Sequence, residues 1–160
     1  MVGAEQNPVA VVERLVQATN DHDIEGLVAC FNDGYINETP AHPGRGFEGA
    51  EQIRRNWTQI FGGVPDVHAE VLQMAVEGDQ VWTEWQTSGT RRDGVGLLLR
   101  GVIVFRIAGE GIQSARFYLE PVDEGTDDVN AAVGRAVGTG AEASGAGGGQ
   151  APDRVGMEAS

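Results

Sequence analysis

Residues 34–49 read GYINETPAHPGRGFEG and place four side chains capable of chemistry in one short stretch. Tyr35 offers a phenol donor, Asn37 an amide, Glu38 a carboxylate, and His42 an imidazole able to act as acid or base. On an extended strand Tyr35 and Asn37 share a face and Glu38 takes the other. A bend into the Pro/Gly loop that follows would turn Glu38 inward, where an apolar setting raises a carboxyl's pKa toward a useful value. The chemistry on offer is acid–base: Tyr35 polarises a substrate oxygen, and Glu38 or His42 moves the proton. The same Tyr35–Asn37 pair also suits a plain binding role, or the satisfaction of backbone groups beside the loop.

The elements around this stretch decide what it can face. NPVAVVERLVQATN reads as a helix, with Asn7 as N-cap and Pro8 at the first helical position. Val11, Val12, Leu15, Val16 and Thr19 recur at helical spacing. DIEGLVACFN reads as a second helix with Ile24, Leu27, Val28 and Phe31 inside. YIN is a short strand ended by the Pro/Gly loop, and a third helix is predicted from about Ala50 to Phe61. Four strands follow, over 67–77, 80–90, 98–108 and 112–120, separated by EGD, RRDGVG and AGEG turns. The order α-α-β-α-β-β-β-β predicts an α+β fold, with three helices over the concave face of a curved antiparallel sheet. Such a cone, open at one end, is a natural small-molecule site.

Composition narrows the partners. The 160 residues carry a net charge of −13, and all eleven basic residues are arginine. That charge repels a phosphate backbone and an anionic membrane surface, so neither nucleic acid nor membrane is expected. The lone Cys30 falls in an apolar pattern and reads as a buried, inert thiol. No His/Asp/Glu group has a metal-ligand spacing, so neither a metal nor another cofactor is expected. His22 lies in a turn, and His68 begins a strand with its face unassigned. No signal peptide is visible, which predicts a cytoplasmic protein. Residues 1–122 read as one domain. Residues 123–160 form an acidic, Gly/Ala-rich tail with too few large apolar groups to offset ordering entropy, and are expected to be mostly disordered.

Strand alternation drafts a pocket. With Phe117 inward, Ala115 and Leu119 follow it, while Arg116, Tyr118 and Glu120 point out. Trp85 and Thr87 go inward with Val81 and Thr83, leaving Trp82 outside. Leu99 and Ile103 go inward, with Arg100 outside. Trp57 and Phe61 supply a helical wall. The drafted pocket is apolar and aromatic, with Tyr35, Asn37 and Thr87 as its polar groups, and it suits a small, mostly apolar ligand.

Three stretches, YINETPAHPGRGFEGAEQIRRNWTQIF, EGDQVWTEWQTSGT and RGVIVFRIAGEGIQSARFYLEP, resemble the SnoaL-like branch of the nuclear transport factor 2-like superfamily. That superfold hosts isomerases, cyclases, hydrolases and non-catalytic binders, so the resemblance implies fold more than reaction. Tyr35 and Asn37 match the tyrosine–asparagine pair that helps hold the attacking water in limonene epoxide hydrolase-like members. The arginine and aspartates of that set are replaced by Trp85, Thr87 and Phe117. Ala115 and Phe117 stand where many SnoaL-like members carry a histidine and an aspartate. The resemblance therefore implies a pocket protein, with a hydrolase, cyclase or isomerase of a polyketide-, terpene- or steroid-like substrate as the alternative. Members commonly pair through the outer sheet face, which assigns Trp82, Arg100, Arg116, Tyr118 and Glu120 to a homodimer interface. A dimeric interaction module without catalysis is the third reading.

Overall fold

A computed structural model describes residues 7–139. The chain divides into two compact units, one up to Val122 and one from Asp123 on.

In the first unit, α1 (Pro8–Asn20) starts where the cap motif requires, Asn7 Oδ1 accepting from the Val9 amide at 3.1 Å. The second helix is cut short. α2 covers only Ile24–Val28, capped by Asp23, and Phe31 already belongs to strand β1 (Phe31–Glu38). Cys30 lies between them, buried, and burial pushes its thiol pKa up. A 3-10 turn at Pro43–Arg45 leads to a two-residue strand β2 (Phe47–Glu48) and then α3 (Ala50–Gly63). Strands β3 (His68–Glu77), β4 (Gln80–Thr90), β5 (Gly96–Ala108) and β6 (Gly111–Pro121) complete the unit.

The sheet runs β2-β1-β6-β5-β4-β3. It is antiparallel except between β1 and β6, which pair in parallel, so β1 returns from the helical hairpin to flank the last strand. Two side chains fasten α1 and the following turn to the start of β3. The Asn20 amide exchanges hydrogen bonds with Ala69 N and O at 2.7 and 2.9 Å, and His22 Nε2 meets Val67 O at 2.9 Å. Together they satisfy backbone groups that an edge strand would otherwise leave open.

One glycine is required by the curvature. Gly101 sits between Trp85 and Leu119 in the register, and a Cβ there would lie 2.1 Å from the Tyr118 carbonyl oxygen. The missing side chain lets the β6 backbone close onto β5. The core fills the hollow side of the sheet, with Val12, Leu27, Tyr35, Ile103, Phe105 and Ile112 essentially inaccessible.

In the second unit, α4 (Val129–Val137) is capped by Asp128 at its start and by left-handed Gly138 at its end. Residues 140–160, most of the Gly/Ala-rich stretch expected to be disordered, lie outside those described. Among the described residues no helix is long and apolar enough to cross a membrane.

Candidate functional site

On β1 the face alternates as the sequence predicts, with Tyr35 and Asn37 buried and Ile36 and Glu38 exposed. Tyr35 is wholly buried, packed edge-on to Phe31 at 4.7 Å between ring centroids and against Phe47 at 6.0 Å. Burial pushes its phenol far above the ordinary range, so it stays protonated and must donate. It donates to Asn37 Oδ1 at 2.7 Å. With the carbonyl oxygen taken, the amide nitrogen of Asn37 faces onward, 3.4 Å from Thr39 Oγ1. Tyr35, Asn37 and Thr39 thus form a row at i, i+2 and i+4 in which each group donates to the next.

A second pair with the same spacing stands on β4, where Trp85 Nε1 donates to Thr87 Oγ1 at 3.0 Å. These are the positions at which the hydrolase-like pattern would need an arginine and an aspartate. A neutral, internally satisfied pair occupies them instead.

Between these pairs lies a cavity of about 500 Å³. The sheet register builds its floor in rows. Phe105, Ala115, Asn37 and Phe47 lie side by side across four strands, followed by Ile103 beside Phe117 and then by Trp85, Gly101 and Leu119. Helix α3 adds Ile53, Asn56, Trp57 and Ile60, at helical spacing i, i+3, i+4 and i+7, and α1 adds Leu15 and Thr19. Among the described residues the lining holds no Asp, Glu, His, Cys or Tyr. Its one ionisable group among the described residues is Arg45, which is also its one exposed residue and so marks where the wall meets solvent.

Of the residues drafted from sequence, Asn37, Trp57, Trp85, Thr87, Leu99, Ile103 and Phe117 line this cavity. Phe61 does not. It turns aside to stack on His22, with ring centroids 4.8 Å apart. Tyr35 lies behind Asn37 and is absent from the wall. Glu38 does not bend inward; it stays exposed, in register with Arg116. His42 pairs with Glu120 Oε2 at 2.9 Å, away from the lining. His68 is exposed beside buried Ala69.

Sequence reading missed Arg45 and Phe47, because a 3-10 turn and a two-residue strand have no periodicity to find. It also passed over Asn56, although the i, i+3, i+4 spacing from Ile53 contained it.

The outer face carries a separate row. Trp82, Val104 and Arg116 are lateral neighbours, and the Arg116 guanidinium reaches over Val104 to lie 5.9 Å from the Trp82 ring centroid. Val104 is buried under this bridge. Arg100 donates to Gln86 Oε1 at 2.8 Å in the next row but one.

A curved, unclosed six-stranded sheet with helices over one face is the nuclear transport factor 2-like architecture. The chain belongs to the SnoaL-like domain family, whose sequence profile matches residues 12–115. Solved structures agree on the fold at low identity. A putative SnoaL-like polyketide cyclase from Shewanella denitrificans superposes with TM-score 0.60 at 12% identity, covering 71% of this chain and 90% of that one. A Mycobacterium tuberculosis protein in complex with estradiol-17beta-hemisuccinate gives 0.62 at 18%, covering 71% and 94%. A protein of ketosteroid isomerase-like fold from Catenulispora acidiphila, in complex with trimethylamine, gives 0.57 at 20%, covering 68% and 84%. No curated protein matches the sequence.

Proposed function

We propose that this protein binds a small, mostly apolar molecule in the cavity and does not transform it. One observation carries the reading: the cavity has the volume of a ligand site, and among the described residues its lining offers no carboxylate, imidazole, thiol or phenol to move a proton. Ligand pockets fall at roughly 300–1,000 Å³, with an apolar wall and a few fixed polar groups. Asn37 and Thr87 are those groups here, each oriented by an aromatic partner on its own strand. Small organic molecules bound by the mycobacterial and Catenulispora proteins support the reading. The experiment is a fluorescence titration with the neutral probe phenylnaphthylamine. Wild type takes up one equivalent, and Leu99→Trp, which fills the wall, loses uptake while remaining folded by circular dichroism. No uptake by wild type, or equal uptake by both, overturns the proposal.

We also propose a homodimer through the outer sheet face. Trp82, Tyr118 and Ile36 are 44%, 42% and 40% exposed there, large apolar side chains set among charges on a face that suits a like partner. Light scattering on the eluting protein tests it. A dimer in wild type and a monomer in Tyr118→Arg support the pairing, and a monomer in both contradicts it.

A further inference from the structure

Four polar groups of the cavity wall keep a hydrogen-bond donor. Asn37 Oδ1 accepts from the Tyr35 hydroxyl. Asn56 Oδ1 accepts from Gln52 at 2.8 Å. Thr87 Oγ1 accepts from Trp85, and Thr39 Oγ1 accepts from Asn37. Each of these four groups has an acceptor site filled from within the chain and retains a donor, an amide N–H or a hydroxyl O–H. Thr19, also on the wall, donates its hydroxyl to Leu15 O at 2.7 Å and keeps only acceptor capacity.

The cation at the rim points the same way. The described chain contains ten arginines. Eight of them hold a carboxylate, a side-chain amide or a backbone carbonyl, and Arg116 lies over Trp82. Arg45 has no such partner among the described residues, although 24 acidic residues are spread along the chain. Its turn is nonetheless fixed: the His42 amide donates to Thr39 O at 2.7 Å and the Arg45 amide to His42 O at 2.9 Å. This ties Arg45 to the end of the Tyr35–Asn37–Thr39 row.

We infer that the ligand is an amphipathic anion, an apolar body with a terminal carboxylate that meets Arg45 at the rim. This rests on the cavity being a ligand site. A carboxylate is acceptor-only, so it matches the four groups that keep a donor, and a guanidinium is the group that pairs with it best. A ligand whose polar end only donates would leave the Arg45 guanidinium and these N–H and O–H groups without a partner.

The test is a matched pair of probes, anilinonaphthalene sulfonate and phenylnaphthylamine, which share their aromatic body and differ in one oxyanion. Wild type binds the sulfonate about tenfold more tightly than the neutral probe, the scale of one charge-assisted hydrogen bond. The preference shrinks with added salt. Arg45→Gln, an exposed substitution with no internal partner to lose, abolishes the preference, while Glu38→Gln, on the opposite face of β1, keeps it. The net charge of −13 opposes any general uptake of anions, so a preference for the sulfonate reports a local site. Equal binding of both probes, or an Arg45→Gln variant that keeps the preference, overturns the anion assignment while the cavity reading stands. Uptake of neither probe removes both.

Discussion

The Tyr35 hydroxyl donates to Asn37 Oδ1 across 2.7 Å, two residues along one face of β1, and in doing so fixes which end of the amide faces the cavity. The phenol is a positioning group behind the wall, and Asn37 is the group a ligand meets. Tyr35→Phe should therefore lower stability by about 1–2 kcal/mol, because Asn37 Oδ1 is left buried without its donor. It should also weaken binding of acceptor-bearing ligands more than that of the neutral probe. Denaturant melts and paired titrations measure both.

The same residue gives a pH signature. Burial raises the folded-state pKa of Tyr35 above its ordinary value of 10.0. The contribution to stability is fully present below pH 10 and is lost as pH rises, because the unfolded chain releases the phenolic proton first. Above pH 10 the unfolding free energy should fall by about 1.4 kcal/mol per pH unit from this group. Tyr35→Phe should lack that component of the slope. Identical alkaline slopes in the two proteins would contradict the burial argument.

Gly101 should tolerate no side chain. Gly101→Ala sets a Cβ against the Tyr118 carbonyl and should cost about 1–3 kcal/mol or more, since both neighbours are backbone in a paired strand. Gly62, at the end of α3 with open space around it, is the control. Gly62→Ala should be neutral or stabilising by up to about 1 kcal/mol. Thermal melts of the two variants should move in opposite directions or differ widely.

Glu38 and His42 should be dispensable for ligand binding. Glu38 is exposed on the face opposite Asn37, and His42 is engaged with Glu120. Glu38→Gln and His42→Gln should each keep probe affinity within about twofold, as for surface changes remote from a site. A larger loss in either would return that residue to the pocket.

Much of this was legible from the alternation of the strands. The period of two is strict, so one inward residue per strand fixes the rest, and Trp85, Thr87, Leu99, Ile103 and Phe117 fall on the cavity as read. The helical wall was legible only in part. Phe61 follows the apolar stripe of Ile53, Trp57 and Ile60, but at the last turn of α3 it meets His22, whose position depends on the α1 hairpin and not on local sequence. The end of α2 was misread because Cys30 and Phe31 are as apolar as the helix before them. Periodicity over so few residues does not separate a helix from the start of a buried strand. Tyr35 and Asn37 were rightly paired, but which of them reaches the cavity depends on a hydrogen bond between them that no spacing reveals.

A crystal structure of the protein grown with phenylnaphthylamine tests the central claim most directly. The account predicts electron density for one probe inside the cone, its ring between Trp57 and Phe117, with the Tyr35–Asn37 hydrogen bond intact beside it. A cavity closed by side chains with the probe absent, or a probe seated only on the outer sheet face, would contradict it.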